Sequence, residues 1–314
     1  MYKVLVIDIS SYKEMITKTF TNEGYHVELS ESAYDAMVKL KSQDFDLIVS
    51  EVELPGDNAF DLYNYINKYY PYIPTIMTTE KDIDTFFGRI FQEGIGNVLC
   101  KPFKRDEFVN LAEKLITKKN IFGLQHYMKN IIDTKKIRIT SSTQINQAVN
   151  IITKQIKEWG FTIINFMMLN LLLNEMIINA VYHSHGYTQE KLMSLPIKLK
   201  DEEYVDIFFA NNGESYGISI NDYQGKLSKV RILESIHSVI EQNQLIMNSN
   251  NDSQEISQEI SETGRGLDLV RKLANEYYFI IKKDIRTEII FLYDNLSYLD
   301  SQYHTSLKII EDIH

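Results

Sequence analysis

Over the first 118 residues, short apolar runs at 2–7, 25–29, 46–50, 75–78 and 97–100 alternate with stretches of helical spacing. This alternation constrains the fold more than any other feature. A continuous apolar run of four to six residues suits a strand buried on both faces, as in a parallel sheet. Each intervening stretch is long enough for the crossover helix that a parallel pair needs. Residues 11–23 are an example, with Met15, Ile16 and Phe20 on one stripe and a stop at Gly24. The expected product is a doubly wound α/β sheet with its ligand site at the carboxyl ends of the strands.

Beyond residue 118 the pattern changes. Residues 119–136 carry Lys pairs, Asn and Gln with little periodicity and read as a linker. A short strand (138–140) leads through Ser141-Ser142-Thr143, a helix cap, into a helix to about Trp159. A very apolar helix follows over 165–184, then strands at 204–210, 277–282 and 288–293. Helices with antiparallel strands make this half, residues 137–296, an α+β domain. Residues 241–262 read as a polar loop and 297–314 as a C-terminal tail. At about 150 residues per domain, two domains suit a chain of 314 residues.

Composition excludes several function classes. With 43 acidic against 33 basic residues the net charge is −10, which argues against phosphate-backbone contact and so against a nucleic-acid partner. A single cysteine excludes a disulfide framework and a cysteine-cluster zinc site. No apolar run approaches the ~20 residues that span a bilayer. The start MYKVLVIDIS is too short and too soon acidic for a signal peptide, so no membrane and a cytoplasmic location are expected.

The first chemical signal is at the strand ends. Asp8, Glu51, Thr79 and Lys101 each follow an apolar run, and a parallel sheet brings such ends to one edge. The pieces KVLVID, DLIVSEVELPG, PTIMTTE and KPF, in that order, resemble a response-regulator receiver domain over residues 1–118. The resemblance implies a flavodoxin-like fold and a phosphorylation site. In that site an acidic pair and an aspartate hold Mg²⁺, and the aspartate attacks the phosphoryl group. Here Asp8-Ile9 stands for the acidic pair, Glu51 for the acceptor, and Val98 at the aromatic switch position. Phosphoryl transfer is mostly positioning, so displacement of the nucleophile by one methylene is costly. One acidic ligand fewer also weakens a magnesium site. The expectation is a pseudo-receiver that is not phosphorylated. Glu51 either reaches Lys101 and Thr79 as a stand-in for a phosphorylated aspartate, or marks an edge kept for packing or dimerisation.

The second signal is on the apolar helix, where Glu175, Asn179 and His183 recur every four residues and share one stripe. Polar groups in line among Leu171, Leu172, Met176 and Ile177 need partners, and a ligand is the simplest one. Asn211-Asn212-Gly213 follows the next strand, and Gly264-Arg265-Gly266-Leu267 opens an apolar helix. Glycines at a helix start let backbone N–H groups approach phosphate. NEMIINAVYHS, NNG and GRGLDLV in this order resemble the Bergerat-type ATPase fold of histidine kinases, gyrase-like ATPases and anti-sigma-factor serine kinases, over about 136–294. The anti-sigma branch matches best, through RITSSTQINQAVNIITKQIKEWGF and GRGLDLVRKLANEYYF.

That resemblance implies ATP and Mg²⁺ as cofactors. Asn179 would hold the Mg²⁺ that bridges the ATP phosphates, and Glu175 would be the catalytic base or orienting residue. Asn211 would stand where the family reads adenine with an aspartate. Gly213 and Gly217 would shape the adenine and lid region, and Gly264 and Gly266, with Arg265 and Leu267 in the motif, would cradle phosphates. Tyr182 stands where a basic residue often precedes His183. Val230, Leu233, Ile236 and Ile240 form a helical stripe for core or lid packing. His126 reads as a linker residue, His185, His237, His304 and His314 as surface residues, and Cys100 as a packing residue.

Three functions are compatible with these signals. The first is a two-component-type regulator whose ATP-binding domain binds or phosphorylates a protein, either a sigma factor or its antagonist, as a serine/threonine kinase. The second is a non-catalytic dimeric switch. The third is a histidine-kinase-like ATPase served by a separate phosphotransfer protein; the missing acceptor helix counts against it. A homodimer follows by analogy.

Overall fold

The computed structural model describes residues 1–54, 58–163, 165–249, 262–294 and 305–312, the side chains of 246–249 and 262–265 excepted. The chain forms two compact units, Met1–Lys119 with Gln302–Lys308, and Asn120–Ser301 with Ile309–His314. Among the described residues no helix is long and apolar enough to cross a membrane.

The first unit is the expected doubly wound sheet. Its strands are β1 (Lys3–Ile7), β2 (His26–Ser30), β3 (Leu47–Glu51), β4 (Thr75–Thr79) and β5 (Asn97–Cys100). All pair in parallel, in the order β2-β1-β3-β4-β5. Helices α1 (Lys13–Asn22), α2 (Ala33–Ser42), α3 (Ala59–Tyr69), α4 (Phe87–Glu93) and α5 (Arg105–Thr117) connect them. Every residue of β3 is buried, which explains its unbroken apolar run. α1 packs on α5 with the Phe20 and Phe108 rings 5.0 Å apart, while α2 meets α3 and α3 meets α4. The strand order reverses between β1 and β3, so a crevice opens at the ends of those two strands, above Asp8 and Glu51.

The second unit holds β6 (Asp133–Ile139), α6 (Ile145–Glu158), α7 (Phe166–Ile178), α8 (Thr188–Leu192), β7 (Val205–Asn211) and β8 (Ser215–Asp222). α9 (Lys229–Ser249), α10 (Glu262–Leu273), β9 (Glu276–Lys282) and β10 (Arg286–Asp294) follow. The strands run antiparallel in the order β6-β7-β8-β10-β9. α7 packs against α6 and α10, and α10 against α9.

Several element expectations need correction. β6 begins at Asp133, inside the stretch read as a linker. Residues 241–249 continue α9 rather than forming a loop, since Leu233, Ile236 and Ile240 are buried and anchor that helix. The rest of that loop, 250–261, lies outside the described residues. Val230 of the expected stripe is exposed, and Ile232 takes its place in the core. Within the tail expected at 297–314 stands a strand, β11 (Leu307–Asp312). In the first unit its residues Leu307 and Lys308 pair antiparallel with β5, and in the second its last four residues pair parallel with β9.

β8 was not expected at all. Its alternation of Tyr216, Ile218 and Ile220 with Gly217, Ser219 and Asn221 is a period-2 pattern hidden by the small and polar residues of one face. Gly217 sits in this strand, where a Cβ would come within 2.9 Å of Leu124 and 2.8 Å of Leu292. Its lack of a side chain therefore serves packing, not a lid.

Candidate functional sites

In the second unit, α7 does not end at Ile178 but widens into a π turn, Asn179–His183, closed by the Ser184 N–H on the Asn179 carbonyl at 3.1 Å. Such turns redirect side chains and cluster at functional sites. Asn179 and His183 line a pocket with Met176, Ile220, Asp222 and Thr287. Asp222 and Thr287 are register partners on β8 and β10, so their side chains stand next to each other in the pocket wall. Burial pushes the Asp222 carboxyl up, while its oxygens accept from the N–H groups of Gln224 and Gly225 at 3.0 Å and from the Ser184 hydroxyl at 3.0 Å. The Thr287 hydroxyl is buried with no hydrogen-bond partner, an unpaired group that calls for a ligand. Neither the Glu175 carboxylate nor the Asn179 carboxamide hydrogen-bonds another described residue, and the Glu175 Cβ and the Asn179 carboxamide border Gly266. Burial, then the charges of Lys191 and Arg231, hold the His183 imidazole down at about 4, so it is neutral at pH 7. Arg231 adds positive charge to the wall, and the Lys226 ammonium there is paired with Asp284 at 2.6 Å.

The other expected site residues lie apart. Asn211 and Gly213 form the β7–β8 hairpin turn, where Gly213 has φ +87° and its N–H donates to the Asn211 side chain at 3.2 Å. Asn211 pairs with Tyr216, six residues along β8 from Asp222, which is about 20 Å. The acidic residue that lines the pocket is thus Asp222, and Asn211, expected at the adenine-reading position, does not line it. The signal for Asp222 was present as Asp222-Tyr223-Gln224-Gly225, in which Gly225 has φ +59° and a Cβ would strike the Lys282 carbonyl at 2.4 Å. Gly264 and Gly266 lie inside α10 rather than before it. Only the first four N–H groups of a helix lack intrahelical partners, and Gly266 lies beyond the first four described residues of α10, so its N–H is not free to bind phosphate. A Cβ on Gly266 would meet Met176 at 2.6 Å, so close helix packing explains this glycine. The Arg265 side chain lies outside the described residues, and Leu267 lines the pocket. His185 is no surface residue: its Nδ1 bonds the Ala180 carbonyl at 2.9 Å and its Nε2 is buried without a partner.

In the first unit the crevice brings together all four expected residues. The Lys101 ammonium donates to Asp8 at 3.1 Å, to the Ser10 hydroxyl at 2.9 Å and to Glu51. Thr79 turns elsewhere, donating its hydroxyl to both oxygens of Glu53 at 2.9 and 3.1 Å. The expected reach of Glu51 to Lys101 is therefore present, and its reach to Thr79 is not; Glu53 takes that partner. Burial, then a hydrogen bond with Glu53, push the Glu51 carboxyl up to about 7 against the pull of Lys101. Val98 is fully buried in β5.

The family described as response regulator receiver domain matches residues 4–113. These residues are a receiver domain. Relatives include the DNA-binding transcriptional regulator NtrC of Proteus hauseri, 32% identical over 36% of this chain and 24% of its own length. The probable transcriptional regulator ycf29 of Cyanophora paradoxa is 23% identical over 49% of this chain and 77% of its own length. Among solved structures, the chemotaxis response regulator CheY4 of Vibrio cholerae is 25% identical with a TM-score of 0.34, covering 37% of this chain and 98% of that one. The beryllofluoride-activated NtrC4 receiver domain dimer is 25% identical with a TM-score of 0.35, covering 38% and 98%. The chain spans about a quarter of the length of the NtrC relatives it matches.

In this receiver the acidic residues of the crevice are held by protein donors. The Lys101 ammonium already stands between Asp8 and Glu51, and Glu53 is engaged by Thr79. Among the described residues no group of three ligands is placed for a metal ion. A buried ammonium supplies the positive charge that the carboxylates need.

Proposed function

We propose that the chain is a signalling regulator in which a receiver domain that takes no phosphoryl group is joined to an ATP-binding unit of the anti-sigma-factor kinase type, acting on a protein partner. The observation that carries the nucleotide reading is the Asp222–Thr287 pair, a buried acceptor beside a buried, unpaired hydroxyl at one end of an apolar slot. An adenine base offers an exocyclic amine to the carboxylate and a ring nitrogen to the hydroxyl, which would satisfy both. Asn179 would hold the Mg²⁺ bound to the phosphates, and bound ATP would supply a transferable phosphoryl group. Glu175 would orient the attacking hydroxyl of a serine or threonine, and Arg231 would offset phosphate charge. Calorimetric titration with Mg-ATP tests the reading. Wild type should bind with a micromolar to submillimolar Kd, and Asn179→Ala should lose most of the magnesium dependence. No heat at millimolar Mg-ATP would end the enzyme reading.

One observation favours the second reading, a non-catalytic switch. The pocket has only about 50 Å³ of free space, room for one or two waters. A purine therefore enters only if lining residues move outward, a lid-like motion. A homodimer fits either reading. For the receiver, acetyl phosphate should leave the intact mass of the chain unchanged. A phosphate-sized mass shift that disappears in Glu51→Gln would overturn this.

A further inference from the structure

The sheet of the second unit has one face toward its helices. On that face the Trp159 indole, just past α6, donates to Asp133 at 3.0 Å, and Asp222 and Thr287 line the pocket with Asn179. Successive side chains of a strand alternate between faces, so Lys136 and Arg138 of β6, Asp206 of β7, Asn221 of β8 and Glu288 of β10 stand on the other face. Four of them form a single register row, Arg138–Asp206–Asn221–Glu288.

Along this row the carboxylates are buried and the cations reach the surface. The Asp206 side chain is 2% exposed and Glu288 0%, against 47% for Arg138 and 43% for Lys136. Asp206 accepts from Arg138 Nε at 2.8 Å and Nη2 at 2.9 Å, from the Lys136 ammonium at 2.8 Å and from the Tyr223 hydroxyl at 3.2 Å. Both cations are thereby held in place and keep further N–H donors. The Arg138 guanidinium lies 3.6 Å over the Tyr204 ring, and the Tyr204 and Tyr223 rings are 5.0 Å apart. An arginine fixed among tyrosine rings has the composition of an interface core, and side chains already ordered lose little more entropy on binding.

The charge of this face selects its partner. Its exposed charges are positive in a chain of net charge −10, and a symmetric contact with a second copy would set cation against cation. Two cations are too few for a phosphate backbone, which binding proteins commonly meet with about six to ten contacts. The edge of β6 supplies the shape. Among the described residues β6 pairs with β7 alone, and the backbone of its outer edge bonds no other described residue. Such an edge accepts an added strand, and every second side chain of that strand would stand beside Lys136 and Arg138.

From this we infer that the β6 edge and the Arg138–Tyr204 surface form a docking site for an extended acidic segment of a protein partner. The site gives the protein partner proposed above its chemistry; it rests on that partner and not on nucleotide.

The test uses the full chain without nucleotide and a fluorescein-labelled ten-residue peptide of alternating Glu and Thr, followed by fluorescence anisotropy. Its comparator alternates Gln and Thr. The Glu peptide should bind saturably with a Kd on the order of 100 μM, and the Gln peptide at least tenfold more weakly. Raising the salt from about 50 to about 300 mM should weaken the Glu peptide roughly three- to tenfold. Arg138→Gln and Lys136→Gln each keep a donor for Asp206, so each should weaken binding about three- to tenfold with little change in Tm. Lys135→Gln removes the same charge from the other face of β6, where Lys135 pairs with Asp133, and should change the affinity less than about twofold. A chain that binds the Glu peptide but no Mg-ATP would lose the nucleotide reading and keep this site. Equal binding of the two peptides, wild-type affinity in both Arg138→Gln and Lys136→Gln, an equally large effect of Lys135→Gln, or absence of saturable binding at about 2 mM would each overturn the assignment. Self-association or oligonucleotide binding that Arg138→Gln abolishes would give the face to another occupant and overturn it as well.

Discussion

Replacing Lys101 with methionine should cost the receiver about 3–5 kcal/mol at pH 8, because it leaves Asp8 and Glu51 buried without their shared counter-charge. For a unit of this size the loss should appear as a fall of roughly 10–20 °C in the receiver transition of the full chain, read by scanning calorimetry. The cost should shrink on acidification, since a buried carboxylate without a cation escapes its penalty by taking a proton. Wild type carries a smaller version of the same dependence. The Glu51 carboxyl is raised in the fold from 4.5 to about 7. A raised folded value means that the protonated form is favoured by folding. Its contribution, on the order of 3 kcal/mol, is complete below pH 4.5 and is lost as the pH rises through 7. Glu51→Gln should flatten this slope. A Lys101→Met chain that loses less than 1 kcal/mol at pH 8, or that gains nothing between pH 8 and pH 5, would remove the ion-pair account of the crevice.

Asp222→Asn should weaken Mg-ATP binding about 10- to 100-fold, the range for a hydrogen bond to a buried charged group. The asparagine carbonyl can still accept from Gln224 and Gly225 and keep the turn, but its amide nitrogen cannot accept from an adenine amine. Asp222→Ala is less informative because it also frees three donors now held by the carboxylate. Thr287→Val provides the cleaner companion. It preserves shape, removes a hydroxyl that has no partner, and should leave the unliganded Tm unchanged or slightly higher while reducing ATP affinity about five- to tenfold. Wild-type affinity in both variants would show that no base is read at this pair, whatever else the pocket binds.

The receiver was legible because its strands are buried on both faces and show as unbroken apolar runs, and because its site sits on strand ends that topology forces together. Glu53 was not legible. It lies two residues beyond Glu51, and only the direction of the chain after β3 decides that it, rather than Glu51, meets Thr79. In the second unit Asn179 and His183 were readable from helical spacing alone, and both line the pocket. Asn211 was misplaced for a physical reason. An Asn-Asn-Gly sequence suits a hairpin turn as well as a nucleotide loop, and turn chemistry looks the same in either setting. The decisive residues, Asp222 and Thr287, become neighbours only through the β8–β10 register, which no local pattern encodes.

Lys308 carries a consequence for how the chain is made. Its fully buried ammonium pairs with Glu107 of α5, while Leu307 pairs with Val98 and the Ser306 hydroxyl accepts the Cys100 N–H at 3.0 Å. Every other strand of the receiver is synthesised before residue 101, yet the neighbour that covers the edge of β5 arrives roughly 190 residues after α5 ends. At about 5–20 residues per second the ribosome needs on the order of 10–40 s to supply it. For that interval the nascent receiver presents an unpaired strand edge and a carboxylate awaiting its cation, the kind of surface that chaperones and neighbouring nascent chains engage. Slow codons between the end of α5 and Lys308 would lengthen this window, and a premature stop just before Lys308 would make it permanent.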